Sequence, residues 1–305
     1  MNLVKFLSLL LVIASYFSHA QNLGSPLTAS DKDELTKISN ISLTLAAYTV
    51  TPDVTTSSLT LESSGSTESD AQLFSLGGGF TLENSLYLEG TIGYSRYEHP
   101  YSGTTFKQSD LRWNSYAATG GIGWDFTYDE DSNWIIRPII NFTFGRTVAD
   151  SYFLPSSESG HLSIEKDILG YGGSLMLDYE NIINETTIDL EARYTLIKLH
   201  AYDVSTELSE GDAYTNAINI WGRTRTSTPW TVFQQPLRFV LEASISGYMG
   251  KHKEAFDVSA LSSIGSGLEV DLAKHNLIVH KFRLIARYLY GDNIKGYSVS
   301  LAVSF

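Results

Sequence analysis

Charged side chains at every second position are the residues in this chain best placed to do chemistry. Asp189, Glu191 and Arg193 alternate with Ile188, Leu190, Ala192, Tyr194 and Leu196; Lys281, Arg283 and Arg287 alternate with Phe282, Leu284, Ala286, Tyr288 and Tyr290. An extended chain turns successive side chains to opposite faces, so each segment has one apolar face and one ionic face. The same parity adds the acids Glu89, Asp178, Glu242 and Glu269 and the bases Arg137, Arg223 and Arg238. A charge facing mid-bilayer lipid costs about 2–4 kcal/mol, so on a lipid-facing sheet these side chains must turn to an interior. Two chemistries follow. A basic ladder of Lys281, Arg283 and Arg287 would pass anions in preference to cations. Ion pairs of both signs would instead fill a narrow interior and brace it.

Other chemistries find less support. The chain has no cysteine, which removes disulfides and thiolate metal sites. Its histidines beyond the leader are His99, His161, His200, His252, His275 and His280, with His99 and His161 falling in long connections. None sits in a Ser-His-Asp pattern, so the chain is expected not to be an enzyme. The acids Asp53, Glu62, Glu68 and Asp70 of one connection, and Asp203, Glu207, Glu210 and Asp212 of another, lack calcium-loop spacing. No metal or cofactor is expected. The glycine clusters Gly77-Gly-Gly79, Gly120-Gly121 and Gly172-Gly173 lie inside alternating segments, where they mark close backbone approach and not phosphate cradles. A formal net charge of -13 disfavours a nucleic-acid partner, because phosphate binding needs a basic surface.

The elements carrying these residues are strands. Period-two segments are expected near 38–50, 72–83, 85–97, 113–126, 134–148, 168–180, 185–199, 214–226, 236–249, 259–272, 275–290 and 295–305. Pro138 removes a ladder hydrogen bond inside the fifth, beside a possible bulge, and the run 223–230 blurs the eighth boundary, leaving a count of ten open. Connections 51–71, 98–112, 149–167 and 200–213 are long, and those at Glu83-Asn84 and Ala273-Lys274 are tight. Long and short ends alternating around an even number of strands describe an antiparallel up-and-down transmembrane β-barrel with both termini periplasmic. Residues 1–20 read as a secretory signal peptide cleaved after Ala20. Residues 21–37 form a short leader with a helix start at Ser30-Asp31, able to plug one end of a pore, and 38–305 form the barrel. Tyr48, Tyr94, Tyr97, Trp113, Tyr116, Trp124, Trp134, Tyr179, Tyr214, Trp230, Tyr248 and Tyr288 cluster near strand ends, as interfacial rings do.

The terminal segment Gly296–Phe305 places Tyr297, Val299, Leu301, Val303 and Phe305 on one face and Ser298, Ser300, Ala302 and Ser304 on the other. With the size and the strand count of about twelve, this tail resembles the translocator barrel of bacterial autotransporters. The five apolar positions match the signal through which the barrel-assembly machinery reads outer-membrane proteins. The resemblance implies residence in the bacterial outer membrane, among its lipid and lipopolysaccharide, with no cofactor. With only the 17 residues 21–37 between the expected cleavage site and the first expected strand, the chain looks like a solitary translocator without a passenger. The expected role is a non-enzymatic pore for small solutes or ions. The alternative is a closed surface barrel acting in adhesion, envelope integrity or partner binding through its acidic loops.

Overall fold

A computed structural model describes residues 56–63, 69–101, 109–129, 132–153, 160–202, 212–232, 234–249, 259–271, 281–292 and 294–304. These residues are almost wholly strand: β1 Thr56–Ser63, β2 Ser69–Thr81, β3 Leu86–Tyr101, β4 Ser109–Trp124, β5 Phe126–Thr127, β6 Trp134–Phe153, β7 Gly160–Ile183, β8 Thr186–Tyr202, β9 Asp212–Val232, β10 Gln235–Tyr248, β11 Ala260–Asp271, β12 Lys281–Gly291 and β13 Ile294–Ser304. Each long strand pairs antiparallel with its neighbours in sequence, β4 pairs with β6, and β13 returns to β1. The ring is therefore closed, with twelve long members among the described residues, and the count of ten falls away. Closure leaves no free sheet edge, as a lipid solvent requires.

The β5 segment is the tip of β4 after an interruption at Asp125. Gly123 pairs with Ile139 and Phe126 with Ile136 in one unbroken register, so no bulge lies beside Pro138. Proline has no N–H to donate, and the ladder parts opposite it without slipping. A register shift does occur between Pro236 and Arg238, opposite the run Thr228-Pro229-Trp230 of β9. Thr228 Oγ1 donates to the Leu237 carbonyl at 2.6 Å across that irregularity. This is why the run 223–230 gave no clean boundary: β9 continues through it.

Strand β1 departs from expectation. The segment 38–50 lies outside the described residues, and Thr56–Ser63, expected within a long connection, is what pairs with β13. Glu62 and Asp70, expected in that loop, are strand residues opposite one another. His99 and His161 likewise lie within β3 and β7, not in connections. Strands β3, β6, β7 and β8 all run several residues further toward that end than the apolar alternation indicates. The loop asymmetry is correspondingly smaller: β12 and β13 are joined there by a short turn, while 272–280, including Ala273-Lys274, separates β11 from β12 at the opposite end. Tight turns at that opposite end use left-handed residues, Ser85, Asn184, Glu185 and Gln234. Consecutive positive φ at Asn184 and Glu185 is what a two-residue hairpin needs to match strand twist. Residues 1–20, expected to be a signal peptide, the 21–37 segment and Phe305 lie outside the described residues.

Inside and outside are inverted relative to a water-soluble sandwich. Phe74, Ile92, Ile122, Ile140, Phe142, Leu175, Ile220, Leu241, Ile264, Leu284 and Val299 are exposed, while Glu89, Arg137, Asn141, Lys166, Asp189, Arg193, Glu242 and Glu269 are buried. Exposed apolar surface on this scale belongs in lipid. On β6 the outward apolar run extends from Trp134 to Phe144, close to the 9–11 residues of a membrane-crossing strand. Aromatic side chains mark its borders, with Trp134 against Tyr179 at 4.6 Å on one rim and Tyr94 against Tyr116 at 5.0 Å on the other.

Candidate functional site: an ion-paired lumen

The inward face of the ring has two zones. Toward the end carrying the 102–108, 154–159 and 203–211 connections it is largely apolar, with Leu73, Trp113, Ile168, Ile197, Leu199, Leu261, Ile285 and Leu289 buried. Ile168, Ile197 and Leu199 have 0% exposure, so this wall is packed and does not face a water column. Lys166 shares that wall, its ammonium 5.6 Å from the Trp113 ring. Toward the tight-turn end the inward positions become ionic.

One chord crosses the interior. Glu89 on β3 accepts from Arg193 on β8 through both guanidinium nitrogens, at 2.7 and 3.0 Å. Three strand positions of the ring separate these partners along β4, β6 and β7. Both side chains are only 2% exposed. Asn141 Nδ2 donates to Glu89 Oε1 at 2.8 Å, Ser174 Oγ donates to Asn141 Oδ1 at 2.8 Å, and Arg193 also donates to Ser174 Oγ at 3.1 Å. Bidentate pairing with further donors on the carboxylate is the condition under which buried charges are tolerated; Arg193 Nε alone in this group is buried without a hydrogen-bond partner. Gly121 makes the room: a Cβ there would stand 2.5 Å from Glu89 Cγ and 2.8 Å from Asn141 Nδ2.

A second group lies beside it. Arg137 pairs with Asp125, reaches Asp178 at 3.6 Å and covers the Tyr87 ring at 4.0 Å from its centroid. The Tyr87 ring in turn occupies the space left by Gly79, where a Cβ would stand 2.1 Å from the Tyr87 hydroxyl. The interruption at Asp125 thus falls opposite Arg137, one position from Pro138, and is clamped by that arginine.

A third group runs from β7 round to β13. Asp189 accepts from Arg223 at 2.7 Å and Arg225 at 2.8 Å, and Arg225 also reaches Glu180 at 3.1 Å. Glu269, fully buried, accepts from Arg283 Nε at 2.8 Å and Arg238 at 3.4 Å. Glu242 accepts from Arg287 Nε at 2.9 Å, and Arg287 continues to Ser300. The expected ladder of Lys281, Arg283 and Arg287 is therefore engaged at Arg283 and Arg287 by carboxylates of β11 and β10. Glu191 stands opposite Asp178, and Glu180 opposite Asp189, so four carboxylates form two adjacent cross-strand pairs on β7 and β8. Like charges so placed repel, and Arg137, Arg223 and Arg225 offset them.

These groups surround a cavity of about 550 Å³ whose lining includes Tyr87, Arg137, Asp178, Asp189, Glu191, Arg193, Trp221, Arg223, Lys281 and Arg283. Of the residues singled out from alternation, Arg137, Asp178, Asp189, Glu191, Arg193, Arg223, Lys281 and Arg283 line it, while Glu89, Arg238, Glu242, Glu269 and Arg287 stand in the surrounding lattice. Asp125, Glu180 and Arg225 also take part and were not singled out. Arg225 shares the parity of Trp221 and Arg223, a signal available in the run Arg-Thr-Arg-Thr. Asp125 and Glu180 sit at or past the ends of the alternating runs, where parity is hard to read. With these included, eight acids (Glu89, Asp125, Asp178, Glu180, Asp189, Glu191, Glu242, Glu269) face eight bases (Arg137, Arg193, Arg223, Arg225, Arg238, Lys281, Arg283, Arg287) in the ionic zone among the described residues, Lys166 standing apart in the apolar zone. On the closing strand Tyr297, Val299 and Leu301 are exposed on the outer face while Ser298, Ser300 and Ala302 are buried. His200 is on the outer face as well, bonded to Asp212 at 2.6 Å.

Residues 52–167 match the family model of the Autotransporter beta-domain. No curated protein matches the sequence. Among solved structures, the translocator domain of the autotransporter NalP from Neisseria meningitidis is similar at 13% identity, covering 82% of this chain and 85% of that one with a TM-score of 0.51. The beta domain of the Bordetella autotransporter BrkA matches at 14% identity over 83% of this chain and all of that one, with a TM-score of 0.49. The transport unit of AIDA-I from Escherichia coli matches at 14% identity over 89% of this chain and 99% of that one, with a TM-score of 0.45. Closed ring, apolar outer wall and ionic interior make this chain a transmembrane antiparallel β-barrel, and over residues 52–167 it is similar to the Autotransporter beta-domain.

Proposed function

We propose that the protein is a non-enzymatic outer-membrane pore for small solutes or ions, held narrow by its own ion pairs. The observation that supports this reading is the cavity of about 550 Å³ inside the ring, lined by side chains of both signs. A barrel wall presenting charge to an enclosed polar space, with apolar side chains turned to lipid, is the arrangement through which outer-membrane barrels pass hydrophilic solutes. The balance of eight acids and eight bases argues for weak ionic selectivity, not for an anion filter. Both termini are taken as periplasmic, with the longer strand extensions at the cell surface and the terminal apolar positions addressed to the assembly machinery.

A second reading, a closed barrel acting at the surface or in the integrity of the envelope, draws on the packed inner wall of Lys166, Ile168, Ile197 and Leu199. Liposome swelling separates the two. In the pore reading, vesicles containing the purified protein take up small sugars and organic anions at similar slow rates, and Arg193→Met speeds uptake by removing the chord. Impermeability of both wild type and variant sinks the pore and leaves the closed barrel.

A further inference from the structure

The charges of the ionic zone are sorted by wall. Strands β3 to β8 make one side of the ring and β9 to β13 the side that follows it. The first turns Glu89, Asp125, Asp178, Glu180, Asp189 and Glu191 inward against Arg137 and Arg193, six acids to two bases. The second turns Arg223, Arg225, Arg238, Lys281, Arg283 and Arg287 inward against Glu242 and Glu269, six bases to two acids. Lys166, in the apolar zone of the first wall, and Asp271, at the ladder position opposite Lys281, each change one wall by a single charge and reverse neither sign. The zone is therefore balanced in sum and polarised across. Low-dielectric walls focus the field between them. A solute of one sign is drawn to one wall and repelled by the other, whereas a solute carrying both signs can satisfy both.

The two walls meet in the cavity at the seam of β8 and β9. Asp178, Glu191, Trp221 and Ser244 occupy one row of ladder positions across β7, β8, β9 and β10, and all four line the cavity. On the acidic side of this row two carboxylates stand opposite one another. The cations beside them are committed elsewhere: Arg137, 3.6 Å from Asp178, pairs with Asp125, and Arg193, the next inward residue of β8, pairs with Glu89. Arg223, the next inward residue after Trp221, is held by Asp189 with its guanidinium 4.7 Å from the Trp221 ring. On the basic side two N–H donors, Arg225 Nε and Trp221 Nε1, are sealed from water and have no acceptor among the described residues. Arg225 is only 4% exposed, and both side chains line the cavity. A buried donor left without an acceptor is costly, so both atoms favour an incoming carboxylate.

We propose that this cavity binds a small zwitterion of the amino-acid class, its ammonium group toward Asp178 and Glu191 and its carboxylate toward Trp221 and Arg225. An ammonium group brings three donors and no acceptor, which suits the paired carboxylates, and a carboxylate brings only acceptors, which suits β9. A cation alone would leave the β9 donors unmet, and an anion alone would face Asp178 and Glu191. As the solute class of the pore this rests on the reading under Proposed function; as a binding site it needs no passage.

The test uses the full chain folded in detergent, with binding read by saturation-transfer NMR of three solutes of similar size: 4-aminobutyrate, butyrate and butylammonium. Wild type is expected to bind 4-aminobutyrate about tenfold more tightly than either of the others, each of which forgoes a charge-assisted hydrogen bond. Asp178→Asn with Glu191→Gln should erase the advantage over butyrate. Trp221→Phe, which keeps a ring and removes the N–H, should weaken 4-aminobutyrate and butyrate but not butylammonium, and it remains informative if the double variant fails to fold. Equal affinity for the three solutes, a preference that survives loss of both carboxylates, or indifference to Trp221→Phe overturns the proposal. Preferential binding of 4-aminobutyrate without its uptake into liposomes would end the pore and keep the site. Uptake of all three without any preference in binding would end the site and keep the pore.

Discussion

The Glu89–Arg193 pair concentrates the energetics of the interior on two residues. Each is nearly sealed from water, so each depends on the other and on Asn141 and Ser174 for the interactions that replace hydration. Removing one partner leaves a buried charge, and Glu89→Gln or Arg193→Met should each destabilise the folded barrel by about 3–5 kcal/mol. Replacing both by Met should cost much less than the two single changes added. Equilibrium urea unfolding in lipid vesicles measures this, and strictly additive losses would contradict a coupled chord. Gly121→Val would press a side chain into Glu89 and Asn141, with an expected cost of about 1–3 kcal/mol; an unchanged unfolding midpoint would show that the chord can move aside. Parity along single strands was enough to turn Glu89 and Arg193 to the same interior. Their partnership was not legible, because it spans more than a hundred residues of chain and depends on how the ring curves.

At the scale of the strands, lipid sets which features a sequence can show. Between the two rims every second side chain faces hydrocarbon, and the resulting alternation marks β6, β8, β10 and β12 plainly. Past the rim both faces of the sheet can be polar, so nothing in the pattern tells that β3 continues to Tyr101 or β6 to Phe153. The extents of the long connections were overestimated for that reason. Strand β1 was missed because Thr56–Ser63 holds only Leu59 and Leu61 as apolar residues among serines and threonines. Its place depends on pairing with β13 on one side and β2 on the other. The lipid-facing assignment has a direct test. Ile140→Arg, at the middle of the β6 outer face, should destabilise by about 2–4 kcal/mol, whereas Asn141→Ser on the inner face should cost less. The closing strand leads to a kinetic expectation: deletion of Phe305 should reduce the folded fraction recovered from membranes, read as heat-modifiable migration in gels, with purified folded protein scarcely less stable. Normal membrane recovery would remove the tail from any part in assembly.

For the whole molecule, closure of twelve strands with apolar residues outside and charges inside makes a membrane barrel, and the ion-pair lattice makes its lumen narrow. In the proposed pore that lattice is the element that limits passage. Planar-bilayer recording of the wild type beside Arg193→Met and the charge reversal Arg283→Glu with Arg287→Glu tests it most directly. Expected are small, weakly selective conductance for the wild type, larger conductance when the chord is removed, and a shift toward cations on charge reversal. Wild-type conductance as large as an open tube, or no conductance in any of the three proteins, would contradict it.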